Sequence, residues 1–272
     1  MINQPLPAFS NVVAAGVATL RVPSYDLTLN RIVLSLGGTA FTKAMITDIK
    51  IKVGSRTVYN ASGSDIDGIN KYKGMFDTAG FLTLDFMERD QPDVTVRELG
   101  GYSLPFLRTL GDLTLEVTIA GATAPTLSAV GFFNAPQQNP LLMKLIKFQS
   151  PSAVAGRFPI NLNFSGALVK RLHLLYTGTD WTASANGNLN RVEVKKNGLV
   201  IWDMTDLEAR FNQQEFRKVP QSRRYVVDFI NDNNYASHLN TKDARSLEVN
   251  TYLTATDAPV VLAEVLDVPN NL

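Results

Sequence analysis

The chain has 272 residues, no cysteine, and 26 basic against 25 acidic side chains, for a formal net charge of +1. This balance argues against tight nucleic-acid binding, which draws affinity from neutralising phosphates. The absent cysteine excludes disulfides, thiolate metal sites and cysteine nucleophiles, and the length suffices for one large core or two of ordinary size.

The opening "MINQPLPAFSNVVAAG" lacks a basic leader and a long apolar core, so it is not expected to be a signal peptide. No apolar run approaches the ~20 residues that span a bilayer, and a soluble chain is expected. From there the sequence alternates with period two. Leu20 and Val22 share a face, as do Leu27 and Leu29, then Ile32, Leu34 and Leu36. Ile49, Ile51 and Val53 continue the pattern, and so do Leu113, Leu115, Val117 and Ile119. Such alternation marks strands with one buried face. Turn residues such as "GG", "VGS", "AGAT", Asn197–Gly198 and "NDNN" separate the runs. Many short strands at near-regular spacing predict an antiparallel sandwich or barrel.

Three helices are expected. Two lie around Asp65–Lys71 and Thr205–Phe216. The third is "NPLLMKLIKFQ", with Asn139 as cap, Pro140 at the first helical position and Leu141, Leu142, Leu145 and Ile146 on one apolar face.

The chain also repeats itself. "RIVLSLGGTAF" at Arg31–Phe41 returns as "RLHLLYTGTDW" at Arg171–Trp181. The Arg, Leu, Gly and Thr positions and the terminal aromatic stay in step at an offset of 140. The offset becomes 143 where Ile49, Ile51 and Tyr59 meet Val192, Val194 and Trp202, and where Leu84-Asp85-Phe86 meets Val227-Asp228-Phe229. It then falls to 132, where Leu115-Glu116-Val117 meets Leu247-Glu248-Val249. Collinear matches that keep the apolar phase imply a duplicated domain, because a one-residue slip would turn every side chain to the wrong face. Two tandem eight-stranded antiparallel jelly rolls are therefore expected, all-β, over residues 9–133 and 152–268. Residues 134–151 would form a linker whose short helix packs at the seam.

Candidate chemistry is sparse. His173, between the inward positions Leu172 and Leu174, should face outward on its strand, and His238 should lie in a loop. Two distant histidines do not make a transition-metal site. "SGSDIDGIN" imitates a calcium loop but has glycine where ligands are needed, so Asp65 or Asp67 should instead cap a helix. Glu88–Asp93 and Asn231–Asn234 read as solvated loops, with a hard cation held by carbonyl help as the alternative. Most acids fall on outward strand phases or in loops. No nucleophile elbow, P-loop or dinucleotide fingerprint is present. The densest basic run, "FRKVPQSRR", offers Arg217, Lys218, Arg223 and Arg224 as candidate subunit contacts, with a phosphate or anionic lipid surface as the alternative partner.

This layout resembles the double jelly-roll major capsid proteins of tailless icosahedral viruses with an internal membrane, most nearly those of the corticoviruses. The resemblance spans most of the chain. It is carried by "NVVAAGVATLRVP", by "IKIKVGSRTVYNASGSDID" with its copy "VEVKKNGLVIWDMTDLE", and by the two "DF" strands. It implies a structural protein of the virion capsid, assembled in the host cytoplasm, with no catalytic residues. Pseudo-hexameric homotrimers would tile the shell, in contact with neighbouring trimers, a vertex (penton) protein, and viral membrane proteins or the lipid surface, without specific nucleic-acid binding. No cofactor is implied. Structural calcium occurs in relatives but has no assignable residues here. Leu141, Leu142, Leu145 and Ile146 would bridge the domains, so that Leu142→Asp would prevent trimer formation. Two rival readings are a carbohydrate- or receptor-binding β-sandwich spike and a two-jelly-roll glycan hydrolase.

Overall fold

The computed structural model describes residues 1–137, 141–151, 153–164 and 166–271. The chain divides into two compact units, Met1–Ile146 with Leu266–Leu272, and Lys147–Val265.

The first unit opens with β1 (Ile2–Pro5), β2 (Ala15–Arg21), β3 (Thr28–Gly37), β4 (Ile46–Val53) and β5 (Arg56–Ala61). Helix α1 (Gly63–Tyr72), β6 (Phe81–Asp85), the short helix α2 (Val94–Arg97), β7 (Tyr102–Ser103) and the short helix α3 (Leu104–Leu107) follow. The unit then runs through β8 (Leu113–Ala120) and β9 (Thr126–Asn134), and β10 (Leu142–Gln149) begins in it. One sheet has the order β2-β8-β4-β5, and the other β1-β9-β3-β6, with β7 also on β3. The period-two reading holds here: Leu113, Leu115, Val117 and Ile119 are buried along β8, and Ile49, Ile51 and Val53 along β4.

The second unit comprises β11 (Gly156–Asn161), β12 (Leu168–Leu175), β13 (Leu189–Lys196), β14 (Leu199–Thr205) and α4 (Asp206–Glu215). These are followed by β15 (Arg224–Asp228), β16 (Leu239–Asn240), β17 (Leu247–Leu253) and β18 (Val260–Asp267). Its sheets run β11-β17-β13-β14 and β15-β12-β18, with β16 on β12. Replacing β2 to β9 by β11 to β18 turns one pairing scheme into the other, so each unit is built on the same eight strands.

The duplication reaches single residues. Arg31 stands opposite Asp85, and Arg171 opposite Asp228. The β4–β5 pairing slips between Ile51 and Lys52, and the β13–β14 pairing slips between Val194 and Lys195, the equivalent step. Tyr59 meets Phe86 edge-on at 6.2 Å, and Trp202 meets Phe229 in the same way at 6.2 Å. Both long helices start with a capping box, Ser62 with Asp65 and Thr205 with Glu208. Asp65 thus serves at the third helical position, while Ser62 is the cap.

The structure corrects three expectations. Leu142–Gln149 is a strand, not a helix. A short continuous apolar run reads equally as a buried strand, and here backbone partners decide. The Met143 N–H donates to Gly100 O at 2.9 Å, Tyr102 Oη donates to Met143 O at 2.8 Å, and Leu145 pairs in parallel with Tyr59. The expected cap at Asn139 and Pro140 lies outside the described residues.

The offset of 132 is also two residues short. Leu115 pairs with Leu20 and Ile51, and it is Val249 that pairs with their equivalents Ile160 and Val194. The true offset is 134. A shift of two residues leaves every side chain on its face, so alternation could not detect it.

The third correction concerns His173. Its phase is as expected, but the side chain is fully buried, because β12 is covered on both faces.

Candidate functional site

A buried cluster of titratable groups surrounds His173. Its Nε2 lies 2.7 Å from Glu264 Oε1, Arg171 Nε donates to Asp228 Oδ2 at 2.8 Å, and Arg171 approaches Glu264 at 3.6 Å. All four side chains have no exposure. Burial lowers the His173 pKa to about 4, against the opposing pull of Glu264, so the imidazole is neutral at pH 7. A cluster closed to solvent cannot take substrate. With the imidazole neutral, Arg171 faces the two carboxylates of Asp228 and Glu264, and Arg224 supplies a second positive charge nearby. Among the described residues eight acids are buried, Asp85, Glu88, Glu193, Asp206, Asp228, Asp257, Glu264 and Asp267. The solvated positions expected for these acids are corrected: alternation does not report that a strand is covered on both faces, as at Asp85, Glu193, Asp228, Glu264 and Asp267, nor that a loop or helix start is packed over, as at Glu88, Asp206 and Asp257.

Asp257 is a second polar centre with no signal in the sequence. Its carboxylate accepts from the backbone N–H groups of Gly178 at 2.9 Å and Ala258 at 2.8 Å, from Thr177 Oγ1 at 2.8 Å and from Asn188 Nδ2 at 2.9 Å. Burial pushes its pKa up, but these donors outweigh burial and hold it at about 2. This clamp ties the loop after β12 to the loop before β18. It also accounts for Gly178, where a Cβ would lie 2.4 Å from Asn188 Nδ2. No group of three or more histidine or acidic residues spaced to hold a metal occurs among the described residues.

The expected contact residues divide. Leu142 and Leu145 are 2% and 1% exposed, whereas Leu141 and Ile146 are half-buried. Leu142→Asp would therefore put a charge into the interior instead of testing assembly. In the basic run, Arg217 and Arg223 are exposed in left-handed backbone conformations, φ 59° and 50°. Lys218 and Arg224 are buried, and Lys218 Nζ donates to Asn233 Oδ1 at 2.8 Å. Asp180 fastens this loop by accepting from the Arg223 N–H at 2.8 Å and from Ser222 Oγ. The run reads as half surface and half structural.

The two copies differ at one sheet edge. In the first unit β10 pairs along β5, and Val58 and Tyr59 are 1% and 2% exposed. In the second unit the equivalent strand β14 ends its sheet. The equivalents of Val58 and Tyr59, Ile201 and Trp202, are half-buried there, and the exposed Leu199 and Val200 stand where β5 carries Arg56 and Thr57. Helix α4, which follows, exposes Leu207 and Phe211 where α1 carries Ser64 and Gly68. An open edge flanked by apolar side chains is a template for pairing.

Residues 3–134 match the family model for the viral coat protein P2 N-terminal domain, and residues 142–269 match that for the viral coat protein P2 C-terminal domain. The chain belongs to the P2 viral coat protein family. This P2-family chain is a structural protein of a virion shell, not an enzyme. A search of curated proteins returned no match. Among solved structures, the major capsid protein P2 of bacteriophage PM2 superposes with a TM-score of 0.87 at 17% identity, covering 100% of this chain and 99% of that one. A chain of Sulfolobus turreted icosahedral virus gives 0.72 at 15% identity, covering 98% and 91%. The PBCV-1 virus capsid gives 0.64 at 14%, covering 98% and 93%. At these identities the likeness speaks to the double jelly-roll fold alone. The spike and hydrolase readings give way to the coat-protein family.

Proposed function

We propose that this P2-family chain is a major capsid protein whose copies associate as homotrimers and tile an icosahedral shell around an internal membrane. Three chains of two equivalent units present six near-equivalent towers, which fits hexagonal packing from threefold symmetry. The observation that carries this reading is the asymmetry between β5 and β14. The first copy covers its edge with its own β10, and the second leaves the same edge to another copy of the chain. Leu199, Val200, Leu207 and Phe211 would be buried there, with Arg217 and Arg223 at the rim. Neighbouring trimers, a vertex protein, and viral membrane proteins or the lipid beneath are the further partners in this scheme.

Light scattering on a size-exclusion peak, with and without calcium, tests it. A mass near three times 29.8 kDa, stable on dilution, is expected. The double variant Leu199→Asp with Phe211→Asp should elute as a folded monomer. A wild-type monomer in both buffers would overturn the proposal.

A further inference from the structure

Three guanidinium groups, from Arg31, Arg89 and Arg97, surround a cavity of about 380 Å³ in the first unit, with Glu98 and Asn134 on its wall. Each arrives from a different element. Arg31 projects from β3, Arg89 follows β6, and Arg97 ends α2. The Arg31 guanidinium lies over the Phe132 ring, 3.8 Å from its centroid, which fixes its plane. Its buried Nε has no hydrogen-bond partner, and neither has Asn134 Oδ1. Arg89 uses its Nε on Asp85 at 2.7 Å, which leaves the terminal nitrogens of its fork. Arg97 makes no side-chain hydrogen bond or ion pair among the described residues. Of the nearby acids, Glu98 is engaged by Asn134 Nδ2 and, at 3.2 Å, by Gln137 Nε2.

The positive charge is therefore in excess. Burial, and then the neighbouring charge of Arg89, pulls the Arg31 pKa below its ordinary value, as like charges without enough counter-charge must. Asp85, the other nearby acid, is already engaged by Arg89. The β3–β6 pairing alone does not call for three arginines here. The equivalent arginine of the other copy, Arg171, is neutralised by the chain's own Asp228 and Glu264.

The geometry points to an anion site: the cavity bounded by Arg31, Arg89 and Arg97 takes a phosphate group, either free or carried on a lipid headgroup. Phosphate suits it better than a single carboxylate. A carboxylate has two oxygens and one charge, whereas phosphate offers more oxygens to the planar forks. The site is built from first-unit residues alone and does not depend on the assembly scheme.

The test uses the full chain in buffer of matched ionic strength. Calorimetric titration with inorganic phosphate should show saturable binding and a raised Tm, because a ligand bound only by the folded state stabilises it. Arg97→Gln should weaken binding tenfold or more, the worth of one charged hydrogen-bonding fork. Its Tm without phosphate should match wild type or exceed it. Arg108→Gln, on the same unit but away from the cavity, should bind as wild type does. Flotation with phosphatidic acid vesicles, set against phosphatidylcholine vesicles, separates the sources. Binding to phosphatidic acid that Arg97→Gln abolishes assigns a headgroup, and phosphate binding without flotation assigns the free ion. No saturable binding by wild type, or equal binding by Arg97→Gln, would overturn the site.

Discussion

Arg171 donates from Nε to Asp228 Oδ2 at 2.8 Å, and neither side chain touches solvent. The equivalent pair, Arg31 and Asp85, also face each other across two strands but have separate partners. Arg31 lies on Phe132, and Asp85 accepts from Arg89. Equivalent pairings make a sealed ion pair in one copy and the edge of an open cavity in the other. Removing one member of a sealed pair strands the other charge. Asp228→Ala should therefore cost about 3–5 kcal/mol in urea unfolding. Asp85→Ala releases an arginine that water can reach, and should cost about 1 kcal/mol.

His173 makes stability depend on pH. Its pKa is about 4 in the folded protein and 6.5 in the unfolded chain. Between these values the unfolded chain holds the extra proton, so stability falls as pH falls through that window. The full loss is about 3 kcal/mol. His173→Gln, unfolded in urea at a series of pH values, should show a flatter profile between pH 6.5 and 4 than wild type.

Asp257 acts in a lower window. Its pKa is depressed to about 2 from 3.8, so its contribution is complete above 3.8 and is lost as pH drops toward 2. Asp257→Asn should be less stable than wild type at pH 7, with the gap closing below pH 3. Unfolding midpoints at pH 7 and pH 2.5 measure this.

Lys144 has no exposure in the first unit, where its Nζ meets Asp267 at 3.0 Å and Asn271 O. Burial lowers its pKa against the pull of Asp267. Lys144→Met should destabilise by about 3–5 kcal/mol, and Lys144→Met with Asp267→Leu should recover most of that, because the two charges exist to neutralise each other. A double-mutant cycle reads the coupling.

The two capping boxes make a matched pair. Ser62→Ala and Thr205→Ala should each cost about 1 kcal/mol. Equal losses in the two copies, measured by thermal unfolding, would show that the duplicated motif keeps its energetic role.

Much of this protein was legible before folding. The inward positions of β4 and β8 followed from alternation, since a strand with one wet face must alternate. The duplication followed from Arg31 and Arg171, Tyr59 and Trp202, Phe86 and Phe229 staying in order, and both helices were marked at matching places. These features rest on near neighbours in the chain, whose geometry the peptide unit dictates.

The tertiary structure decided the rest. Only the pairing partner made 142–149 a strand, because an apolar run of that length suits either state. Only two-sided burial of β12 closed off the outward positions His173 and Arg171, and only the ladders distinguished an offset of 134 from 132. The open edge at β14, the cluster around Glu264, the Asp257 clamp and the arginine cavity join residues from distant parts of the chain. A one-dimensional pattern reports which side of its own strand a residue occupies; what stands across from that side is set by packing alone.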